Sequence, residues 1–299
     1  MDQAQKLRAK VNQNKLSNLI DDIKNVKDIT EIYKNLIDQN QSNSKVICFI
    51  SAKGGVGKSL LIYSFADILK KSGKKTAIID MNKHYSDVSS YFPECDLIKV
   101  NKSNLLENSC FNVCSSVDTK QCVFQISNEI RGVEYQLIKI VMYQARLSNF
   151  DFVLIDTAIC VSEFLENISD IADEIWCVIN NDFNAVSNTL SLLFQFNSVL
   201  QKEYPISFAF NEFTGINSKS VMNNFFNELQ KMENLKISQN IKIEFDKKLK
   251  ENSDQPINIK ETGFYKTIQT YISNHLLEDK NYMPKTALNK ILDKFKFGF

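Results

Sequence analysis

Apolar positions fall along the chain in two rhythms. Short continuous runs rich in β-branched and aromatic residues occur at Val46-Ile47-Cys48-Phe49-Ile50, Lys75–Asp80, Phe150–Asp156, Glu174–Asn180 and Ile206–Asn211. Runs of this length and type are those of strands buried on both faces of a parallel sheet. Asn240–Phe245 is read as the last of them. Between the strands, apolar residues recur at helical spacing over Leu60–Lys70, which stops near Gly73, and over Asn128–Leu147, Asn184–Leu200 and Ser218–Met232. Strands alternating with helices predict an α/β fold, a doubly wound and mostly parallel sheet. The segment from Tyr91 to Gln125 has no clear period and is read as loops and short elements.

Outside this core the two ends have patterns of their own. Leu16, Leu19, Ile20 and Ile23, then Ile29, Ile32, Tyr33 and Leu36, stand at helical spacing, and Gln39–Ser44 is a polar linker into the first strand. At the other end Leu288, Ile291, Leu292 and Phe295 form one stripe, bordered by Lys290, Lys294 and Lys296. We therefore divide the chain into an N-terminal helical arm (1–44), an α/β domain (45–284) and a C-terminal amphipathic helix (285–299).

Composition narrows the possibilities mainly by exclusion. The 299 residues are 43% hydrophobic and 24% charged, with 36 basic against 35 acidic side chains. That balance excludes a disordered chain and a strongly basic nucleic-acid coat. No apolar run approaches the roughly 20 residues that span a bilayer, and the opening residues do not follow the secretory-leader pattern. Seven cysteines show no paired spacing. Cys110-x-x-x-Cys114 and Cys122 match no common zinc or iron–sulfur pattern and are read as small buried hydrophobes. The expectation is a cytoplasmic protein.

Glycine is scarce, eight in all, yet three fall in Ser51-Ala52-Lys53-Gly54-Gly55-Val56-Gly57-Lys58-Ser59. A strand precedes this stretch and a helix follows it, the context that a phosphate-binding loop requires. Glycines let backbone N–H groups turn inward around phosphate oxygens, and the helix N-terminus adds its positive dipole end. In this reading Gly54, Gly55, Val56, Gly57, Lys58, Ser59 and Leu60 line the cradle. Lys58 neutralises the β- and γ-phosphates, and the Ser59 hydroxyl holds Mg²⁺. Asp80 and Asp156 end their strands on the side where ligands bind in such sheets. Asp156 is placed to hold Mg²⁺ through water, and Asp80 to face the same phosphates.

The sequence Lys53-Gly54-Gly55-Val56-Gly57-Lys58-Ser59 resembles the deviant Walker A loop of the MinD/ParA family of ATPases. The resemblance continues from about Lys45 to Ile259. Asp173 to Val186 is similar to the family's strand and its following T-N-P-E stretch, with Asn181 in place of the proline. Asn211 is similar to the asparagine that recognises adenine, and Asp246 and Pro256 to the acidic residue and proline after the last strand. The resemblance implies an ATP- and Mg²⁺-binding P-loop ATPase in which Lys53 reaches across a homodimer to the partner's nucleotide. Two departures bear on catalysis. Where the family has Asp-x-Asp, this chain has Asp80-Met81-Asn82, and asparagine orients water but cannot take its proton. Where the family has a glycine-containing switch after Asp156, this chain has Thr157-Ala158-Ile159-Cys160. Lys53, Lys58, Asp80 and Asn82 are thus the catalytic candidates, with hydrolysis expected to be slow or partner-dependent.

The first residues, Asp2-Gln3-Ala4-Gln5-Lys6-Leu7-Arg8, resemble the N-terminal activator motif of the FlhG (YlxH/FleN) group within that family, which governs flagellar number and placement. The resemblance implies that Asp2, Gln3, Ala4, Leu7 and Arg8 dock an FlhF-type GTPase, with flagellar basal-body switch proteins as further partners. Leu288, Ile291, Leu292 and Phe295 fit an interfacial helix on the inner membrane surface, similar to the membrane-targeting helix of MinD and FlhG. An ordinary helix packed on the domain is the alternative. Two other functions stay open at the sequence level. One is an ATP-binding scaffold that does not hydrolyse. The other is a ParA- or MinD-type positioning ATPase for DNA or division proteins, although near-zero net charge leads us to expect no direct DNA binding.

Overall fold

The first strand, β1 (Lys45–Ile50), is buried along almost its whole length and lies between β5 (Phe152–Asp156) and β6 (Glu174–Asn180). In the computed structural model, which describes residues 44–81, 97–101, 121–126, 135–147, 150–157, 162–212, 216–244 and 259–277 together with residues 31, 32, 34, 35, 91, 92, 95, 246 and 249, eight strands form one sheet. The others are β2 (Thr76–Asp80), β3 (Leu97–Val100), β4 (Gln121–Ile126), β7 (Tyr204–Asn211) and β8 (Leu235–Ile243). Their order is β3-β4-β2-β5-β1-β6-β7-β8, with every pairing parallel. Strands up to β5 build out on one side of β1 and strands from β6 on the other. The carboxyl end of β1 is therefore the topological switch point, where ligands bind in such sheets.

Alternation along the strands divides the core in two. Val46, Cys48 and Ile50 face a layer of four helices, α2 (Tyr135–Leu147), α3 (Ser162–Ser169), α4 (Phe183–Val199) and α5 (Ile216–Leu229). Ile47 and Phe49 face α1 (Lys58–Lys71) and α6 (Gly263–His275). This second face holds an aromatic stack in which Phe65 of α1 meets Phe49 at 5.2 Å and Trp176 at 5.4 Å, and Trp176 meets Tyr271 of α6 at 5.2 Å. Each such ring buries enough apolar area to stabilise the fold by about 2–3 kcal/mol. Outside the stack, Asp67 of α1 accepts the Tyr265 hydroxyl at 2.6 Å and pairs with Lys71 and Lys260 at 3.0 and 3.2 Å, clasping α1 to α6. Burial pushes the Asp67 carboxyl up, but the hydrogen bonds from Tyr265, Lys71 and Lys260 outweigh it and hold the group below the ordinary carboxylate value.

The α/β class with a parallel, doubly wound sheet is as the sequence predicts, and three details differ. The stretch read as loops contains two strands, β3 and β4. β3 is four residues long and exposed on one side, and β4 begins with Gln121 and is interrupted by Gln125, so neither presents the long β-branched run of a central strand. The last strand starts at Leu235, earlier than the expected Asn240, and its polar middle hides it. The helices α3 and α6 were not expected. α6 is diluted by Lys, Gln, Thr and Asn, and its boundary is set by Thr262, whose hydroxyl accepts the Tyr265 N–H at 3.2 Å. Of the N-terminal arm, Glu31, Ile32, Lys34 and Asn35 are helical, and Ile32 packs on the α2–α5 side of the core.

Candidate functional site

The glycine loop is held in a shape that requires glycine. Gly55 has φ +73° and Gly57 φ +91°, left-handed values that cost an L side chain about 1–2 kcal/mol. A Cβ on Gly57 would also stand 2.6 Å from Asn211 Nδ2, which donates to Val56 O at 2.9 Å. Gly57 is the N-cap of α1, with no side-chain cap and no acidic residue in the first turn. The first N–H groups of α1 and its positive dipole end are therefore left facing the loop, ready for an anion. Val56 is buried and pins the middle of the loop to the core, while Gly54 and Gly55 are exposed. Leu60 is half-buried in the first turn and packs on the α1 side of the core.

Three side chains meet behind the loop. The Lys58 ammonium, almost fully buried, donates to Asp156 Oδ1 and to Thr157 O. Ser59 Oγ donates to Asp156 Oδ2 at 2.8 Å. Asp156 is wholly buried at the end of β5, beside Phe49 in register on one side and Asp80 on the other. Parallel, in-register neighbours direct their side chains to the same face, so the two carboxylates lie together on the α1 side. Thr157 Oγ1 donates to Phe49 O at 2.9 Å and Met81 N to Asp156 O at 2.9 Å, which ties the three strand ends together.

Lys53 stands apart on the rim. Its ammonium lies 3.0 Å from Oδ1 of Asp182, the N-cap of α4. That contact depends on register. Ile50, the last residue of β1, pairs with Cys177, so β6 runs on to Asn180 and raises the start of α4 to the level of the loop. Asn180 pairs with Asn211, which brings the end of β7 to the same height. Glu212, at φ +61°, turns the chain away directly after it.

The structure thus gathers Lys53, Gly54, Gly55, Val56, Gly57, Lys58, Ser59, Leu60, Asp80, Asp156 and Asn211 around one strand-end crevice. Asp246 lies elsewhere, on the N-terminus of α6, where its Oδ2 accepts the Gly263 N–H at 2.7 Å. Asn82, residues 158–160, Cys110, Cys114, Pro256, the N-terminal motif (Asp2, Gln3, Ala4, Leu7, Arg8) and the C-terminal stripe (Leu288, Ile291, Leu292, Phe295) lie outside the described residues. Sequence reasoning missed two members of the site. The Thr157 carbonyl accepts from Lys58, which no side-chain motif signals. Asp182 holds Lys53, and it was legible only as an Asp before an uncharged helix, the signature of a cap.

The donor set suits a nucleoside triphosphate with its metal. A glycine cradle too tight for a Cβ, an uncapped helix N-terminus and a lysine beside it match a phosphate chain, while a hydroxyl and a carboxylate 2.8 Å apart match the oxygen preference of Mg²⁺. The class is confirmed by comparison. The CobQ/CobB/MinD/ParA nucleotide binding domain profile matches residues 47–257, and the chain belongs to that family. Solved structures share the fold. A ParA family ATPase from Chlorobium tepidum is 19% identical with a TM-score of 0.56, covering 79% of this chain and all of that one. Cyanothece McdA(D38A) in complex with ATP is 14% identical with a TM-score of 0.59, covering 81% and 100%. A plasmid partition protein from Borrelia burgdorferi bound to AMPPNP is 21% identical with a TM-score of 0.53, covering 77% and 98%. No curated protein sequence matches the chain.

Proposed function

We propose that this chain is an ATP-driven switch, a MinD/ParA-type ATPase most like the flagellar regulator FlhG. The observation that carries the nucleotide reading is the left-handed cradle at Gly55 and Gly57 with Lys58, Ser59 and Asp156 converging behind it. Lys58 and Ser59 each give a donor to Asp156. A triphosphate offers the ammonium phosphate oxygens instead, and leaves the Ser59 hydroxyl and Asp156 carboxylate as neighbouring ligands for Mg²⁺. That ion neutralises charge building on the β- and γ-phosphates when bound. Asn211, whose amide donates to Val56 O of the loop, reads adenine in this proposal. Turnover is slow or partner-dependent, because Asn82 holds a water without accepting its proton.

The rim of the cradle supports assembly into a homodimer when ATP is bound. Lys53 is 40% exposed there, and Phe183, which follows its partner Asp182 in the chain, is 83% exposed, an apolar side chain suited to being covered by a second copy. The N-terminal motif docks an FlhF-type GTPase and the C-terminal stripe holds the dimer on the inner membrane surface. Among the described residues no helix is long and apolar enough to cross a membrane. Calorimetry with ATP and Mg²⁺ tests the nucleotide reading, and finding no heat overturns it. Stimulation of FlhF GTPase activity, lost in Gln3→Ala and Arg8→Ala, tests the flagellar one. A non-hydrolysing scaffold is the second reading, favoured by Asn82 and the glycine-free stretch after Thr157. Single-turnover hydrolysis separates the two.

A further inference from the structure

The Lys53–Asp182 contact has a feature that the cradle reading does not use. Asp182 Oδ1 takes both the Lys53 ammonium and the Ala185 N–H, each at 3.0 Å, so one oxygen caps α4 and holds the loop lysine. The hydrogen bond from Lys53, followed by that from Ala185, holds the Asp182 carboxyl below its ordinary value. Both side chains reach solvent, at 40% and 36% exposure, so water replaces each partner when they separate and the cost is small. α4 itself carries no ionisable side chain along Phe183–Val199. Lys58, by contrast, is almost fully buried on Asp156. The two lysines of one loop are therefore held in opposite ways, one inside the cradle and one outside it.

We propose that Asp182 parks Lys53: its carboxylate holds the ammonium in cis and competes with the triphosphate of a second copy, so that two nucleotide-loaded chains associate only by exchanging carboxylate for phosphate on Lys53. This rests on the reading of the chain as an ATP-dependent homodimer and assigns the threshold for that event to one residue. An ammonium with a carboxylate at 3.0 Å presents little net charge to an approaching polyanion, and the carboxylate itself repels one. Opening the pair restores the positive charge and leaves the cap in place, because the Ala185 N–H still has its acceptor. The substitution Asp182→Asn separates these roles, since asparagine caps a helix as well as aspartate does while lacking the charge.

The test uses the full chain with AMPPNP and Mg²⁺, following the monomer–dimer equilibrium by sedimentation. An exposed pair is worth about 1.5- to 5-fold in an equilibrium, and a symmetric dimer opens two, so Asp182→Asn is expected to tighten association about 2- to 25-fold at low salt. The gain shrinks as salt rises and disappears in a Lys53→Gln background. ADP binding by each variant, measured by calorimetry, reports whether the cradle is intact. Acylation of the Lys53 amine in nucleotide-free protein, read by mass spectrometry, is faster in Asp182→Asn than in the wild type. Unchanged or weaker association, a gain that persists in Lys53→Gln, or unchanged labelling each overturns parking. If ADP binds but no variant associates, the second-copy step fails and the cradle stands. If ADP does not bind, the nucleotide reading itself has failed.

Discussion

The two ends of the sheet both carry buried ions, and they are wired to different purposes. At the amino end, Lys45 pairs with Glu174 at 2.9 Å and Glu174 also accepts the Ser207 hydroxyl. Arg146 donates to Ile171 O at 2.6 Å and to Asp173 at 2.9 Å, while Asp173 takes the Val46 N–H at 2.7 Å. Tyr204 closes the group by donating to Ala172 O at 2.6 Å. These partners are fixed protein groups, joining β1, β6 and β7 to α2. At the carboxyl end Lys58, Ser59 and Lys53 are held by two carboxylates, which a phosphate chain displaces in the function proposed above. The same kinds of charge build a closed staple at one end and an exchangeable set of donors at the other. The difference lies in whether a ligand can reach and replace the anion.

Substitutions at the two ends should therefore separate stability from binding. The largest effect is expected from Glu174→Ala, which leaves Lys45 without its anion in a mostly buried site. It should destabilise the fold by about 3–5 kcal/mol, lowering the thermal midpoint by roughly 10 °C, with ADP affinity of the folded fraction unchanged by calorimetry. A parallel loss of affinity would break the comparison. Gly57→Ala should do the reverse. Strain of about 1–2 kcal/mol and the clash with Asn211 close the cradle, so nucleotide binding is expected to fall by more than about tenfold, with a smaller drop in midpoint.

Tyr204→Phe is expected to cost about 1 kcal/mol, the worth of one buried hydrogen bond. Its pH dependence sharpens the point. Burial, and then the charges of Cys48, Asp173 and Glu174, push the Tyr204 hydroxyl well above its ordinary value of 10.0. A group raised in the folded state gives its full contribution below the unfolded pKa and loses it as pH rises through the folded one. Wild-type stability, followed by denaturant titration, should therefore decline above about pH 10 more than that of Tyr204→Phe. The smallest effect on stability belongs to Asp182→Asn at the rim, where the thermal midpoint should stay unchanged while self-association shifts.

What was legible in the sequence follows the same division. The central strands declare themselves because both faces are buried, which forces a continuous apolar run such as Val46–Ile50, and the cradle because three of only eight glycines fall between a strand and a helix. β3 and β4 were not visible. At the sheet margin β3 buries only one residue fully, so its four positions carry no pattern. α6 was hidden because one side of it is solvated and its polar residues blur the period. The Lys53–Asp182 contact had no local signal at all. It arises from how far β6 outruns β1, a property of strand register that residue spacing does not encode.

One ring in the aromatic stack offers an optical handle. Trp176 is the sole tryptophan of the chain and is 1% exposed, wedged between Phe65 of α1 and Tyr271 of α6. Its fluorescence therefore comes from a single dry location, four residues upstream of the strand end that flanks the glycine loop. Any tilt of α1 as its first turn closes on a ligand would change the quenching around that indole. A titration could then be followed without a dye, in the unmodified protein.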